Sequence, residues 1–157
     1  MNTVASQAIK LQFDLVTAYK NGNIDDVNII SNAYLNLAAK NKSAKFYGDA
    51  VHQANIISGL VAFDQGDIDK SKEYLLDAIV HKPSPSLKTF GPNMLLAKKL
   101  LEVGEKEVVL TFLNSMNKIW QFPFRFFFAR NWIKKIKKNE IPDFKANLNR
   151  YLTLPPT

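Results

Sequence analysis

Residues 49 to 85 read DAVHQANIISGLVAFDQGDIDKSKEYLLDAIVHKPSP, and this stretch decides the fold. Ile56, Leu60 and Phe63 recur at helical spacing with Ile57 and Val61 beside them, so residues 49 to 64 read as a helix. Gly66 accepts positive φ and can end it. Asp67 stands where a side-chain oxygen caps the next helix, and Asp69 falls in that helix's positive first turn. Ile68, Leu75, Leu76 and Ile79 give the second helix an apolar stripe, and Pro83 and Pro85 stop it. Small residues at Gly59, Ser71 and Ala78 let the two helices approach closely. A two-helix hairpin with a tight glycine turn follows.

The pattern recurs on both sides. Residues 18 to 38 (AYKNGNIDDVNIISNAYLNLA), 62 to 80 (AFDQGDIDKSKEYLLDAIV) and 99 to 120 (KLLEVGEKEVVLTFLNSMNKIW) each place a glycine between two apolar-periodic stretches. Gly22, Gly66 and Gly104 are 44 and 38 residues apart, a period that argues for stacked repeats. The periodicity predicts helices at 4–20, 24–39, 46–64, 68–81, 92–103, 105–120 and 124–138. Gly91-Pro92 is expected to open the fifth, and Pro123 to separate the sixth from the seventh. No strand alternation competes. The fold class is therefore all-α: three stacked antiparallel helical hairpins over residues 1–139, closed by a basic amphipathic helix, with a tail at 140–157.

The second hairpin resembles a tetratricopeptide repeat. Gly59 matches the small residue of the family's first helix, Gly66-Asp67 its turn, Ser71 and Ala78 its two alanines and Pro83 its terminal proline. Ala62 stands where an aromatic is usual. Leu15 and Val27 replace the small residues in the first hairpin, and the third keeps Ala97 but has Val109. The spacing exceeds the family's period of about 34, implying longer loops at 40–46 and 82–92. Residues 87 to 148 are also similar to the C-terminal half of bacterial tetratricopeptide-like proteins without assigned activity.

The resemblance implies a non-catalytic interaction scaffold whose concave surface is lined by the first helix of each pair. Mapped from the turn glycines, the lining is Gln12, Val16 and Tyr19, then Gln53, Ile56, Leu60 and Phe63, then Met94, Lys98 and Leu101. It is mainly apolar and lacks the cationic cluster of chaperone-tail clamps. A protein or peptide partner, an apolar helix or a second copy is expected there. The competing expectation is that these residues pack in a closed bundle.

Charge divides the chain. Of 21 Lys/Arg and 14 Asp/Glu, residues 118–157 hold nine basic and two acidic residues, so the whole net charge of +7 lies in that last quarter. In the seventh helix Phe128, Trp132 and Ile136 share one face, flanked by Phe126 and Ile133; Arg130, Lys134, Lys135, Lys137 and Lys138 fall opposite. Phe127, and Phe124 if the helix reaches it, project toward the basic arc. One reading is a capping helix with a solvated face. The other is a basic adaptor for nucleic acid or an anionic membrane surface.

Candidate chemistry fails. There is no cysteine, so disulfides and thiolate chemistry are excluded. His52 and His81 lack metal-pair spacing, and His81 reads as a helix C-terminal residue. Asp25/Asp26 and Asp67/Asp69 follow turn glycines and read as helix starts. No phosphate-binding loop occurs. No enzyme, metal, cofactor or small-molecule substrate is expected. Lys10, Asp14 and Lys20 interrupt the first twenty residues, which predicts no secretory signal and a cytoplasmic chain.

Overall fold

Three turns share one geometry in the computed structural model, which describes residues 3–121 and 125–153 (the side chains of Arg125 and Phe126 lie outside that description). Gly22, Gly66 and Gly104 have φ of +70°, +82° and +87°. At each, the glycine N–H donates to the carbonyl three residues back, and the next N–H to the carbonyl five residues back: Asn23 to Ala18, Asp67 to Ala62, Glu105 to Leu100, at 2.9–3.0 Å. This double closure satisfies orphan carbonyls at the helix ends. A Cβ would meet nothing within 4 Å at any of the three. The glycines are there for backbone conformation, not space.

The turns join helical hairpins. The elements are α1 (Val4–Lys20), α2 (Ile24–Lys40), α3 (Tyr47–Asp64), α4 (Ile68–Asp77), α5 (Pro85–Phe90), α6 (Leu95–Glu102), α7 (Lys106–Asn117), α8 (Arg125–Lys137) and a 3₁₀ turn (Lys145–Leu148). Helices are thus the only regular elements among the described residues, an all-α fold. Asn23 and Asp67 cap α2 and α4, accepting from the Asp26 and Lys70 amides at 3.1 and 3.0 Å. Asp26 and Asp69 sit in the first turns, as helix-start residues should.

Packing follows chain order. α1 packs on α2, both pack on α3, and α3 packs on α4; α4 packs on α6 and α7, which pack on each other; α8 lies on α7. This is compatible with hairpins stacked in series. α3 is the central rod, buried on nearly every side. At its closest crossing the Ser71 hydroxyl donates to the Gly59 carbonyl at 3.0 Å, and a Cβ on Gly59 would lie 2.4 Å from Leu96 Cδ2.

Several expected boundaries move, two of them where backbone groups find tertiary partners. α4 ends at Asp77 rather than 81. The Asp77 carbonyl accepts from Asn55 Nδ2, and the Ala78 carbonyl from His52 Nδ1, both on α3. His81 therefore lies on exposed coil and does not complement a helix end. Pro85, expected only to stop a helix, begins the short α5, with Ser84 Oγ accepting from the Leu87 amide. α6 begins at Leu95 rather than 92, because the Asn93 and Met94 amides donate to His52 Nε2 and the Asn147 carbonyl instead of opening a helix. α7 closes at Asn117, not 120.

Residues after α8 fold back onto the body. Asn139, at φ +62°, closes α8 with the same double hydrogen bond as the glycine turns: Asn139 to Ile136 and Glu140 to Lys135. Asn147 Nδ2 then donates to the Phe90 and Pro92 carbonyls, and Asn93 Nδ2 to those of Leu148 and Arg150. The Tyr151 hydroxyl donates to the Gly91 carbonyl at 2.8 Å. Phe144 is buried edge-on against Trp132, with ring centroids 5.1 Å apart.

Candidate functional site

The ten positions expected to line a groove do not form an open surface. Val16, Gln53, Ile56, Leu60 and Met94 are buried; Gln12, Tyr19, Phe63, Lys98 and Leu101 are half-buried. Gln53 and Met94 are covered by the chain's own C-terminal segment: Gln53 Nε2 donates to the Tyr151 carbonyl at 2.7 Å, and the Met94 amide to that of Asn147 at 2.9 Å. Lys99 holds its ammonium over the Phe63 ring, and Lys98 pairs with Glu102. The correction is to the five buried positions. α3 and α6 each pack against neighbours on several sides, which takes Gln53, Ile56, Leu60 and Met94 out of reach of a partner, and Val16 is buried between α1 and its neighbours. Of the ten, Gln12 borders an apolar groove of about 490 Å³ between the start of α1, the 41–46 loop and the start of α5, with Ile9, Phe46 and Pro85 on its walls, and Tyr19 borders a smaller one of about 230 Å³ with Ile24, Val27 and Val61.

The titratable groups nearest the core have structural tasks. His52 is wholly buried, and burial pushes its imidazole down to about 4 against the opposing bond to the Ala78 carbonyl. Its Nε2 accepts the Asn93 amide, which fixes the neutral form protonated on Nδ1. Asp49 is pushed up by burial and restrained by the Ser84 hydroxyl that donates to it. Among the described residues no group of His, Asp or Glu is arranged to hold a metal.

The remaining surface feature is α8. Ala129, Trp132 and Ile136 form its buried face, against α7 and Phe144. Phe128, expected on that face, is 51% exposed; its ring stacks outward from Trp132 at 6.5 Å, and Trp132 in turn meets Trp120 at 5.8 Å. The expected roles of Phe124 and Phe126 fall outside the described residues. Winding the helix at about 100° per residue places Phe127, Arg130, Asn131 and Lys134 in one outward arc, which Lys137 and Lys138 continue. Phe127 is 53% exposed.

An open cleft of about 950 Å³ lies between this arc and α7, lined by Asn114, Asn117, Arg130, Asn131, Ile133, Lys134 and Lys137. Among the described residues no carboxylate lines it. Asn117 Oδ1 is buried with no hydrogen-bond partner among the described residues. The ion pairs among those residues use Lys10, Lys70, Lys72, Lys98, Lys99 and Lys145. None uses Arg130, Lys134, Lys135, Lys137 or Lys138. Of this expected patch, Arg130, Lys134 and Lys137 share the cleft, whereas Lys135 lies round the helix, where its charge, after the hydrogen bonds of Lys145, helps hold the Asp143 carboxyl below the ordinary carboxylate value. The three asparagines were not expected. Asn114 and Asn117 share a helix face by spacing, but which neighbour borders that face depends on tertiary structure.

Comparison with protein-family models, with curated proteins and with solved structures finds no match to this chain.

Proposed function

We propose that the chain is a non-catalytic helical-hairpin adaptor, tetratricopeptide-like in its stacking, that binds nucleic acid through the α7/α8 cleft. One observation supports this reading: Arg130, Lys134 and Lys137 line a cleft with three asparagine amides and form no ion pair among the described residues, while many lysines elsewhere sit beside a carboxylate. Charges kept only for solubility are interspersed in sign. Here the basic residues gather where amides can add hydrogen bonds to phosphate or base edges.

Nucleic acid is favoured over a membrane by the fate of the apolar face. An interfacial helix needs that face free to enter the lipid. In α8 it is spent on the core, with Ala129, Trp132 and Ile136 at 0%, 4% and 1% exposure. The test is binding of a labelled oligonucleotide and of phosphatidylglycerol vesicles at low salt. Oligonucleotide binding that weakens steeply with salt, and is lost in Lys134→Glu/Lys137→Glu, is expected. Vesicle binding alone, or no binding, contradicts the reading.

A second reading, an apolar partner helix, is favoured by the groove beside α1, where Ile9 is 54% exposed. Partner capture lost on Ile9→Asp in a folded variant is its expected signature.

A further inference from the structure

We infer that the groove beside α1 binds a small organic amine, its ammonium held between Asp49 and Tyr34 and its apolar body lying along α1. The inference goes beyond both readings above, and this groove shares no lining residue with the α7/α8 cleft.

Polar groups from two helices reach the floor of the groove. Asp49 stands in the first turn of α3, and Tyr34 on α2. The Ser84 hydroxyl, just before α5, donates to Asp49 Oδ1 and accepts from the Leu87 amide, which fixes the carboxyl in place. Among the described residues Asp49 Oδ2 has no hydrogen bond, and Asp49 belongs to no ion pair. Tyr34 is wholly buried and lines the groove, yet its hydroxyl also has no hydrogen bond among those residues. Burial, and then the nearby Asp49 charge, push the Tyr34 hydroxyl up, so the two groups are close enough to feel each other.

Around these two groups the lining is apolar. Val4, Ala5, Ala8 and Ile9 of α1 supply it with Phe46 and Pro85. Exposure falls from rim to floor, from 54% at Ile9 to 0% at Tyr34. A volume of about 490 Å³, mostly apolar with a few convergent polar groups, is that of a small-molecule site. An occupant apolar throughout would cover a carboxylate and a hydroxyl and give neither a partner, which is costly. The occupant therefore brings a donor, and a positive one. Burial raises the Asp49 carboxyl, as it does where no cation attends a carboxylate. An ammonium can donate to Asp49 Oδ2 and to the Tyr34 oxygen at once. Lys45 borders the groove at its rim, where its side chain is exposed.

The experiment is an NMR titration of the labelled full chain at neutral pH with three probes of similar shape: phenylethylamine, phenylethanol and phenylpropionate. The amine is expected to shift the Ile9, Phe46 and Asp49 amides and to bind about tenfold or more tighter than the alcohol, with the propionate weaker still. Asp49→Asn, which can still accept from Ser84, should lose about tenfold or more for the amine and leave the alcohol within about twofold. Tyr34→Phe should weaken the amine by about threefold or more. The ranking of probes on the wild-type chain needs no variant, so it decides the matter if either substitution unfolds the protein. An alcohol or propionate bound as tightly as the amine overturns the inference. So do amine shifts spread over surface carboxylates instead of this groove, an Asp49→Asn chain that binds the amine unchanged, or no shift with any probe. Oligonucleotide binding is read at the other cleft, so either result can fail without the other.

Discussion

His52 shows how one side chain ties distant segments together. It receives the Asn93 amide, donates to the Ala78 carbonyl, and lies against the Phe112 and Tyr151 rings. Unfolded, it takes up a proton near 6.5; folded, it stays neutral to about 4. The unfolded state therefore binds more protons between those values, and stability falls as pH drops through that window. From pH 7 to pH 5 the loss is about 2 kcal/mol. Asp49, raised by burial, works in the opposite sense from the ordinary carboxylate value upward. Urea unfolding of wild type and His52→Gln at both pH values should show the variant without this loss; parallel losses would remove His52 from the account. Gly91 makes a second prediction. Its φ is +76° and a Cβ would lie 2.5 Å from the Trp120 ring, so Gly91→Ala should cost about 2 kcal/mol or more, read from the urea midpoint. At this scale the sequence announces the caps Asn23 and Asp67 because they adjoin a glycine and an apolar run. It is silent on Asn93 and Asn147, because the partners of their side-chain amides depend on which segment returns to them.

At the scale of elements, α1 to α4 are legible because each carries an apolar period bounded by glycine or proline. α5 is not: Pro83 and Pro85 look alike as breakers, and only the Ser84 hydroxyl aimed at the Leu87 amide makes Pro85 a beginning. The return of residues 144–152 carries no period at all and is built from side-chain amides on backbone carbonyls. Asn147→Ala leaves the Phe90 and Pro92 carbonyls without those donors. It should cost about 1–3 kcal/mol. Hydrogen exchange should show lost protection at the Met94 and Leu152 amides, with α1 and α2 unchanged. Retained protection at Met94 would mean that the segment is held by Phe144 and Leu152 instead. This element also explains why the expected groove is closed. Repeat spacing locates the first helices correctly, but the segment lying on Gln53 and Met94 comes from about 55–100 residues further along the chain.

For the whole molecule, the division of charge visible in the sequence becomes a division of surface. The neutral hairpin body pairs many of its lysines locally, whereas α8 presents Arg130, Lys134 and Lys137 to an amide-lined cleft. If each contacted phosphate releases a counterion, log affinity should fall with log salt at a slope of about −0.7 to −0.9 per contact. Lys134→Glu/Lys137→Glu should then flatten the slope by roughly 1.5 or more, while Lys10→Glu, at the far end of the hairpin stack, should leave it unchanged. The most direct test is an NMR titration of the labelled chain with oligouridine. Amide shifts concentrated at Asn117 and from Phe127 to Lys138, with Ile9 and Gln12 undisturbed, are the result expected. Shifts gathered at the α1 groove, or none anywhere at low salt, would contradict a nucleic-acid face on α8.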